Sequence, residues 1–201
     1  HPDRCLGLVM HGITLGESEN IRFWFHGIGN VFPDAWDEFA AFIPEGERDD
    51  LLAAYHKRVI DPDPKVHLPA AVALRTYSGK TQSFDAKPDV VNALLKPELC
   101  VPLARFFTHY VTQDSFLKPN HVLENLPKIR HLPCILVQGR YDVVTRPLLA
   151  WRLNQAWPES ELFFVNEAGH NPTESPMAET MCAAFERMKG RLTGLGLKPK
   201  S

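Results

Sequence analysis

The chain has 201 residues, of which 44% are hydrophobic and 23% are charged, and its formal net charge is -2. This composition is typical of a globular protein long enough to bury a sizeable core, and the balanced charge gives no indication of a nucleic-acid partner. Because no apolar run approaches the ~18 residues of a membrane span, the sequence also predicts no membrane partner.

The cysteine and histidine spacings exclude the usual metal sites. No C-x-x-C pair and no H-E-x-x-H motif occurs, so we expect neither a metal nor a cofactor. The cysteines are widely scattered, which predicts reduced, mostly buried thiols and a reducing, cytoplasmic compartment. They are Cys5, Cys100, Cys134 and Cys182.

The first predicted element is a short strand over residues 5–10 (CLGLVM), followed by a turn at His11 and Gly12. From Glu17 to about Arg130 the pattern changes to helical segments. Two of them are residues 33–43 (PDAWDEFAAFI) and residues 44–60 (PEGERDDLLAAYHKRVI). The second is predicted as one helix with acids in its first turn and bases in its last, which matches the helix dipole.

Beyond residue 129 strands and helices alternate. The predicted order is strand (LPCILVQG), helix (PLLAWRLNQAWP), strand (ELFFVNEAG) and helix (SPMAETMCAAFERMKGRL). Continuous apolar strands separated by helices indicate an α/β fold with a parallel sheet covered on both faces. We therefore expect core residues 1–15 and 131–201, a helical insertion over residues 16–130, and further strands upstream of His1.

Two polar residues follow the last two predicted strands. Asp142 comes after CILVQG, and His170 comes after LFFVNEAG. In parallel sheets functional residues collect at the carboxyl ends of strands, and an acid followed by a histidine is the order of the α/β-hydrolase triad. We expect the Asp142 carboxylate and the His170 ring to lie within roughly 2.6 to 3.2 Å. The alternative is that Asp142 only caps its turn and His170 is an ordinary loop residue.

The segments FPDAW, GRYDVV and AGH give the chain a family resemblance that covers nearly its whole length. The chain resembles the proline iminopeptidases, serine aminopeptidases of the α/β-hydrolase fold. The resemblance implies a hydrolase core with an inserted helical cap, with Asp142 as triad acid and His170 as triad base. It also implies a peptide substrate that loses its N-terminal residue, proline, through an acyl-enzyme.

The nucleophile of that family is not present in this sequence. The family carries it in a Gly-x-Ser-x-Gly turn, and no such motif occurs here. Four serines that could be candidate nucleophiles lie in or near the helical segments, and none stands in a turn between a strand and a helix: Ser18, Ser78, Ser83 and Ser115. We expect the chain to be the carboxy-terminal part of a hydrolase, inactive alone, with the missing amino-terminal part on the same or a separate chain.

The resemblance also implies substrate-binding positions at His11, Trp24, Ser78 and Phe107. Ser78 and Phe107 occupy the places of the glutamates with which the family holds the amino group of its substrate, and His11 replaces an arginine. The loss of two negative charges weakens the binding of a cationic amine and favours an apolar or uncharged acyl substrate. Other acids could instead take over: Glu17, Glu19 and Asp114.

The aromatic run that contains Trp24 has two interpretations. Phe23, Trp24 and Phe25 either line a substrate pocket or pack the cap onto the core. For the whole protein three functions stay open. These are an aminopeptidase, a hydrolase of esters or non-peptide amides with the same mechanism, and a non-catalytic fragment or pseudoenzyme that acts as a binding module.

Overall fold

A computed structural model of the chain describes residues 1–83, 88–93 and 95–196. The chain divides into two compact units, here called the sheet unit (His1–Leu15 and Asn120–Ser201) and the helical unit (Gly16–Pro119). None of the helices in the described part has the length and apolar character needed to cross a membrane.

The strands are β1 (Leu8–His11), β2 (Cys134–Gly139) and β3 (Glu161–Val165). The α-helices in the described residues, in chain order, are α1 (Ser18–Arg22), α2 (Pro33–Ala41), α3 (Leu51–Val59), α4 (Pro64–Gln82), α5 (Pro88–Ala93), α6 (Pro97–Val111), α7 (His121–Asn125), α8 (Pro147–Ala156) and α9 (Ser175–Gly194).

The strands form a parallel sheet in the order β1-β2-β3. Every residue of the central strand β2 is buried, as its continuous apolar run predicts. Leu136 packs in one cluster with Leu149 and Leu153 of α8, whereas Val137 packs in another with Met177 of α9. Successive side chains of a strand point to opposite faces, so these two helices cover opposite faces of the sheet. The prediction of an α/β fold with a parallel sheet is confirmed.

Residues 120–130 pack with the sheet unit, whereas their helical pattern predicts that they belong to the insertion over residues 16–130. Leu126 is buried in the cluster that contains Leu136 and Trp157, and Val122 and Ile129 pack against the same cluster. The helical pattern of this segment is real, but the apolar face it presents is buried against the sheet. Sequence periodicity identifies such a face without identifying its partner.

A stack of aromatic rings forms the centre of the helical unit. The ring of Phe39 on α2 lies between Tyr55 on α3 and Tyr77 on α4, with centroids 4.3 and 4.2 Å away. The Tyr55 hydroxyl donates a hydrogen bond of 2.6 Å to the carbonyl oxygen of Phe39, and the Tyr77 hydroxyl donates one of 2.9 Å to the carbonyl oxygen of Trp24. Both polar groups are therefore satisfied inside the core.

The segment over residues 44–60 begins differently from the single helix predicted. Glu45–Asp50 forms a 3-10 helix, and the α-helix starts only at Leu51. The Asp50 carboxylate accepts a hydrogen bond of 2.9 Å from the backbone N–H of Ala53 and so caps α3. The bases lie in the last turn as predicted, whereas the first turn of α3 contains no acid, because the helix begins only after the capping residue Asp50.

We expect Phe39→Ala to destabilise the helical unit by about 3 to 5 kcal/mol, because it removes a ring that is 2% exposed and stacked on both faces. Phe42→Ala is the matched control, since this neighbouring ring is 37% exposed. Urea unfolding of both variants measures the difference. An equal loss in the two variants would contradict the role assigned to the stack.

Candidate active site

Three sequence-predicted residues meet at the carboxyl edge of the sheet. His11 ends β1, Asp142 lies in the turn after β2, and His170 lies in the loop after β3. Because β1, β2 and β3 run parallel, these ends share one edge. The strand order alone therefore brings together side chains from distant parts of the sequence.

Asp142 is 2% exposed, and its carboxylate is surrounded by donors. Oδ1 accepts hydrogen bonds from the backbone N–H groups of Val144 (2.9 Å) and Thr145 (2.8 Å). Oδ2 accepts from Gln138 Nε2 (3.1 Å) and from the Thr145 hydroxyl (2.9 Å). An aspartate readily bonds backbone N–H groups two and three residues ahead, so the turn forms around it, and the donors compensate the burial of its charge.

His170 points its Nδ1 at the same carboxylate. The distance from His170 Nδ1 to Asp142 Oδ2 is 3.0 Å, within the range expected from the sequence. A carboxylate at this nitrogen favours the tautomer with the proton on Nδ1, which leaves a lone pair on Nε2. Among the described residues no hydrogen bond reaches Nε2, and the side chain is 23% exposed. The ring can therefore accept a proton from a group outside the Asp142 and His170 pair, here called the dyad.

A close backbone approach joins the turn that carries Asp142 to the loop that carries His170, here called the histidine loop. The N–H groups of Arg140 and Tyr141 donate to the carbonyl oxygens of Val165 (2.8 Å) and Ala168 (3.1 Å). A Cβ atom on Gly139 would lie 2.0 Å from the carbonyl oxygen of Gly169. Only glycine permits this approach, since the obstructing atoms belong to the backbone.

His11 lies beside the dyad, with its ring centroid 5.7 Å from that of His170. Partial burial, followed by the neighbouring His170, lowers the pKa of His11 below the ordinary imidazole value, while Asp142 acts in the opposite direction. Gly12 has a φ of +62°, and a Cβ atom there would lie 3.0 Å from His170 Cε1. This glycine thus turns the chain away from β1 without displacing the His170 ring.

Curated proteins with the same sequence pattern are proline iminopeptidases. The chain is 37% identical over 196 residues to a probable proline iminopeptidase of Leptolyngbya boryana, which is 96% of this chain and 61% of that protein. It is 38% identical over 193 residues (94% and 50%) to a proline iminopeptidase of Arabidopsis thaliana. It is 35% identical over 196 residues (96% and 61%) to one of Neisseria gonorrhoeae.

The chain is homologous to the proline iminopeptidases. It spans between 50% and 61% of the length of these three relatives. No family model matches the sequence.

The other residues suggested by the proline iminopeptidase resemblance lie in the helical unit. Trp24 is 5% exposed in the aromatic core, with its ring centroid 5.2 Å from that of Phe107. Ser78 is 4% exposed, and its hydroxyl accepts hydrogen bonds from Gln82 Nε2 (2.6 Å) and Arg75 Nη1 (3.4 Å). The structure thus brings Trp24 to Phe107, and places an amide and a guanidinium at the Ser78 hydroxyl. Their part in substrate binding stays a prediction.

Two residues of the dyad's surroundings were not singled out by sequence reasoning. Gln138 and Thr145 both donate to Asp142 Oδ2. A signal existed for Gln138, because it is the one amide side chain in the apolar run CILVQG. Thr145 carries no such signal, since a threonine three residues after an aspartate is common in turns.

No group of three or more His, Cys, Asp or Glu side chains in the described ranges is arranged to hold a metal ion. The chemistry that this edge of the sheet can support is proton transfer by the Asp142 and His170 pair.

We expect Gly139→Ala to destabilise the sheet unit by roughly 1 to 3 kcal/mol or more, since the new methyl group meets the carbonyl oxygens of Gly169 and Ala168 at 2.0 and 2.7 Å. Gly190→Ala is the control, because nothing lies within 4 Å of its Cβ position and it is inside α9. That control should gain about 0.5 to 1 kcal/mol. Urea unfolding measures both, and a neutral Gly139→Ala would refute the close approach.

The lowered pKa of His11 predicts a pH dependence of stability. The unfolded chain takes up this proton near pH 6.5, whereas the folded chain takes it up only at lower pH. The stability that depends on neutral His11 is therefore complete above about pH 6.5 and is lost as the pH falls through its lower folded pKa.

His11→Asn should reduce the loss of unfolding free energy on the acid side of pH 6.5. Denaturant unfolding at a series of pH values measures how steeply the free energy of unfolding falls with decreasing pH. The variant His131→Gln is the reference, because it removes an exposed imidazole from the same unit. A slope for His11→Asn as steep as that of the unsubstituted protein would exclude the effect.

Proposed function

We propose that the chain supplies the acid and the base of a serine hydrolase resembling proline iminopeptidase, which releases an N-terminal residue, proline, from short peptides. The observation that carries the proposal is the 3.0 Å contact between Asp142 Oδ2 and His170 Nδ1 at the carboxyl edge of a parallel sheet. The homology to proteins named proline iminopeptidases supports the substrate class.

In this mechanism His170 Nε2 takes the proton of the serine hydroxyl as that oxygen attacks the substrate carbonyl carbon. The imidazolium then gives the proton to the leaving amine, and an acyl-enzyme remains. Water hydrolyses the acyl-enzyme with His170 again as the base. Asp142 holds the ring in the Nδ1–H tautomer and stabilises the imidazolium, a role worth on the order of ten-thousand-fold in rate in the best-studied triad.

The proposal includes an α/β-hydrolase fold, with the helical unit as its inserted cap and a nucleophile outside these 201 residues. The absence of a Gly-x-Ser-x-Gly motif from the sequence and the 50% to 61% coverage of the relatives support this arrangement. The missing amino-terminal part would be the partner of this chain, which alone would be inactive. The four free thiols support a cytoplasmic location.

A second candidate keeps the mechanism and changes the substrate to an ester or a non-peptide amide. The Ser78 hydroxyl accepts from an amide and a guanidinium, and Phe107 packs against Trp24. The contacts just named are neutral or cationic, and they lie at the two positions where the resemblance expects glutamates. A substrate ammonium group would gain little there, because its desolvation needs a carboxylate or strong acceptors.

The proposal predicts that Asp142→Asn and His170→Gln each lower kcat of the full-length protein by on the order of ten-thousand-fold. His131→Gln is the control, since this histidine of the sheet unit is exposed and takes no part in the mechanism. Turnover of a prolyl arylamide and of a short acyl ester measures both the loss and the substrate class.

The two substrates separate the candidates. Rapid prolyl release supports the aminopeptidase, whereas ester cleavage without prolyl release supports the second candidate. Full activity in Asp142→Asn would overturn the role of the dyad. A full-length protein that cleaves neither substrate would favour a non-catalytic binding module instead.

A further inference from the structure

The Thr145 hydroxyl lies between the two members of the dyad. Its Oγ1 is 2.9 Å from Asp142 Oδ2 and 3.2 Å from His170 Nδ1. A hydroxyl has one proton to donate and two lone pairs to accept with, whereas a carboxylate only accepts. The proton therefore goes to Asp142, and a lone pair is left for His170. The Nδ1–H group then has two acceptors, Asp142 Oδ2 at 3.0 Å and Thr145 Oγ1 at 3.2 Å.

The position of this hydroxyl is fixed by the backbone around it. The Thr145 N–H donates to Asp142 Oδ1 at 2.8 Å, and its carbonyl oxygen accepts from Gln138 Nε2 at 3.0 Å. The residue is 9% exposed, and a β-branched side chain has few rotamers. The hydroxyl is therefore held towards the dyad by bonds at both backbone polar groups.

Gln138 supports the same arrangement from the central strand. It is 0% exposed, and the two N–H groups of its Nε2 are shared among three acceptors: Asp142 Oδ2 (3.1 Å), the carbonyl oxygen of Thr145 (3.0 Å) and that of Gly139 (3.3 Å). Its Oε1 is buried and has no hydrogen-bond partner among the described residues. Three surrounding oxygens fix the amide orientation, because the flipped amide would bring oxygen against oxygen.

An orphaned buried acceptor is unfavourable, and an apolar side chain would fill the same space without one. The strand nevertheless carries an amide at this point. The amide donates to Asp142 and to the carbonyl oxygen of Thr145, so it compensates the buried carboxylate and also holds both residues of the turn in place.

We propose that Thr145, held in place by Gln138, is a positioning residue that shares the Nδ1–H group of His170 with Asp142. The second acceptor disfavours the alternative tautomer, in which Nε2 carries the proton and cannot act as a base. The effect on rate rests on the proposed hydrolase function, whereas the tautomer of His170 is a property that can be measured without turnover.

The test compares Thr145→Val, which keeps the shape and removes the hydroxyl, with Thr145→Ser, which keeps the hydroxyl. Nitrogen-15 NMR of the histidine-labelled full-length protein reports the tautomer, and His170→Gln assigns the signals. The unsubstituted protein and Thr145→Ser should have a single tautomer with the proton on Nδ1. Thr145→Val should have a mixture of tautomers.

Kinetics provide the second readout. In Thr145→Val we expect kcat to fall roughly 10- to 100-fold, as for the loss of one hydrogen bond to a charged group, with KM unchanged. Thr145→Ser should retain most of the activity. A residue that only capped its turn would change the unfolding midpoint but neither the tautomer nor the ratio of kcat to KM.

A single Nδ1–H tautomer and full kcat in Thr145→Val would overturn the proposal, and so would an equal loss in Thr145→Ser. If Thr145→Val does not fold, Gln138→Met tests the same contacts from the strand and should also give mixed tautomers; an unchanged tautomer there would count against the proposal. If the protein cleaves neither substrate, the proposed hydrolase function fails while the NMR comparison still decides the role of Thr145.

Discussion

The Asp142 carboxylate lies 2% exposed at the end of β2, and a charge buried this deeply is unfavourable by several kcal/mol unless donors surround it. The donors come from three separate parts of the sheet unit. The turn provides two backbone N–H groups and a hydroxyl, the central strand provides an amide, and the loop after β3 provides the His170 ring. Satisfying this one carboxylate therefore fixes the conformation of both loops at the candidate active site.

The parallel sheet supplies the rigid platform that this arrangement requires. β2 is buried on both faces, between the cluster that contains α8 and the cluster that contains α9. Close packing of this kind leaves the strand little freedom to shift, so its carboxyl end is a fixed point. Gly139 then lets the histidine loop approach within backbone hydrogen-bonding distance. Packing energy and site geometry thus depend on the same strand.

The core of the helical unit differs from that of the sheet unit in the side chains that form it. This core is a stack of aromatic rings whose hydroxyl groups bond to backbone carbonyl oxygens, and Trp24 belongs to it. Trp24 is 5% exposed because its ring packs inside the helical unit itself, and its part in substrate binding stays a prediction. Ser78 and Phe107 stay predicted substrate-binding positions, and the choice between the two proposed substrate classes depends on them.

The sequence by itself determined the α/β class, the parallel strands and the positions of Asp142 and His170, because continuous apolar runs that end in polar turns have few other solutions. The unit that residues 120–130 join depends on which surface buries their apolar face, and the local sequence pattern does not identify that surface. The first residue of α3 likewise depends on which of several acids caps the helix. Only the tertiary structure revealed Gln138 and Thr145 around Asp142. Their role follows from distances between atoms on different elements, and such distances are set by packing across the sheet.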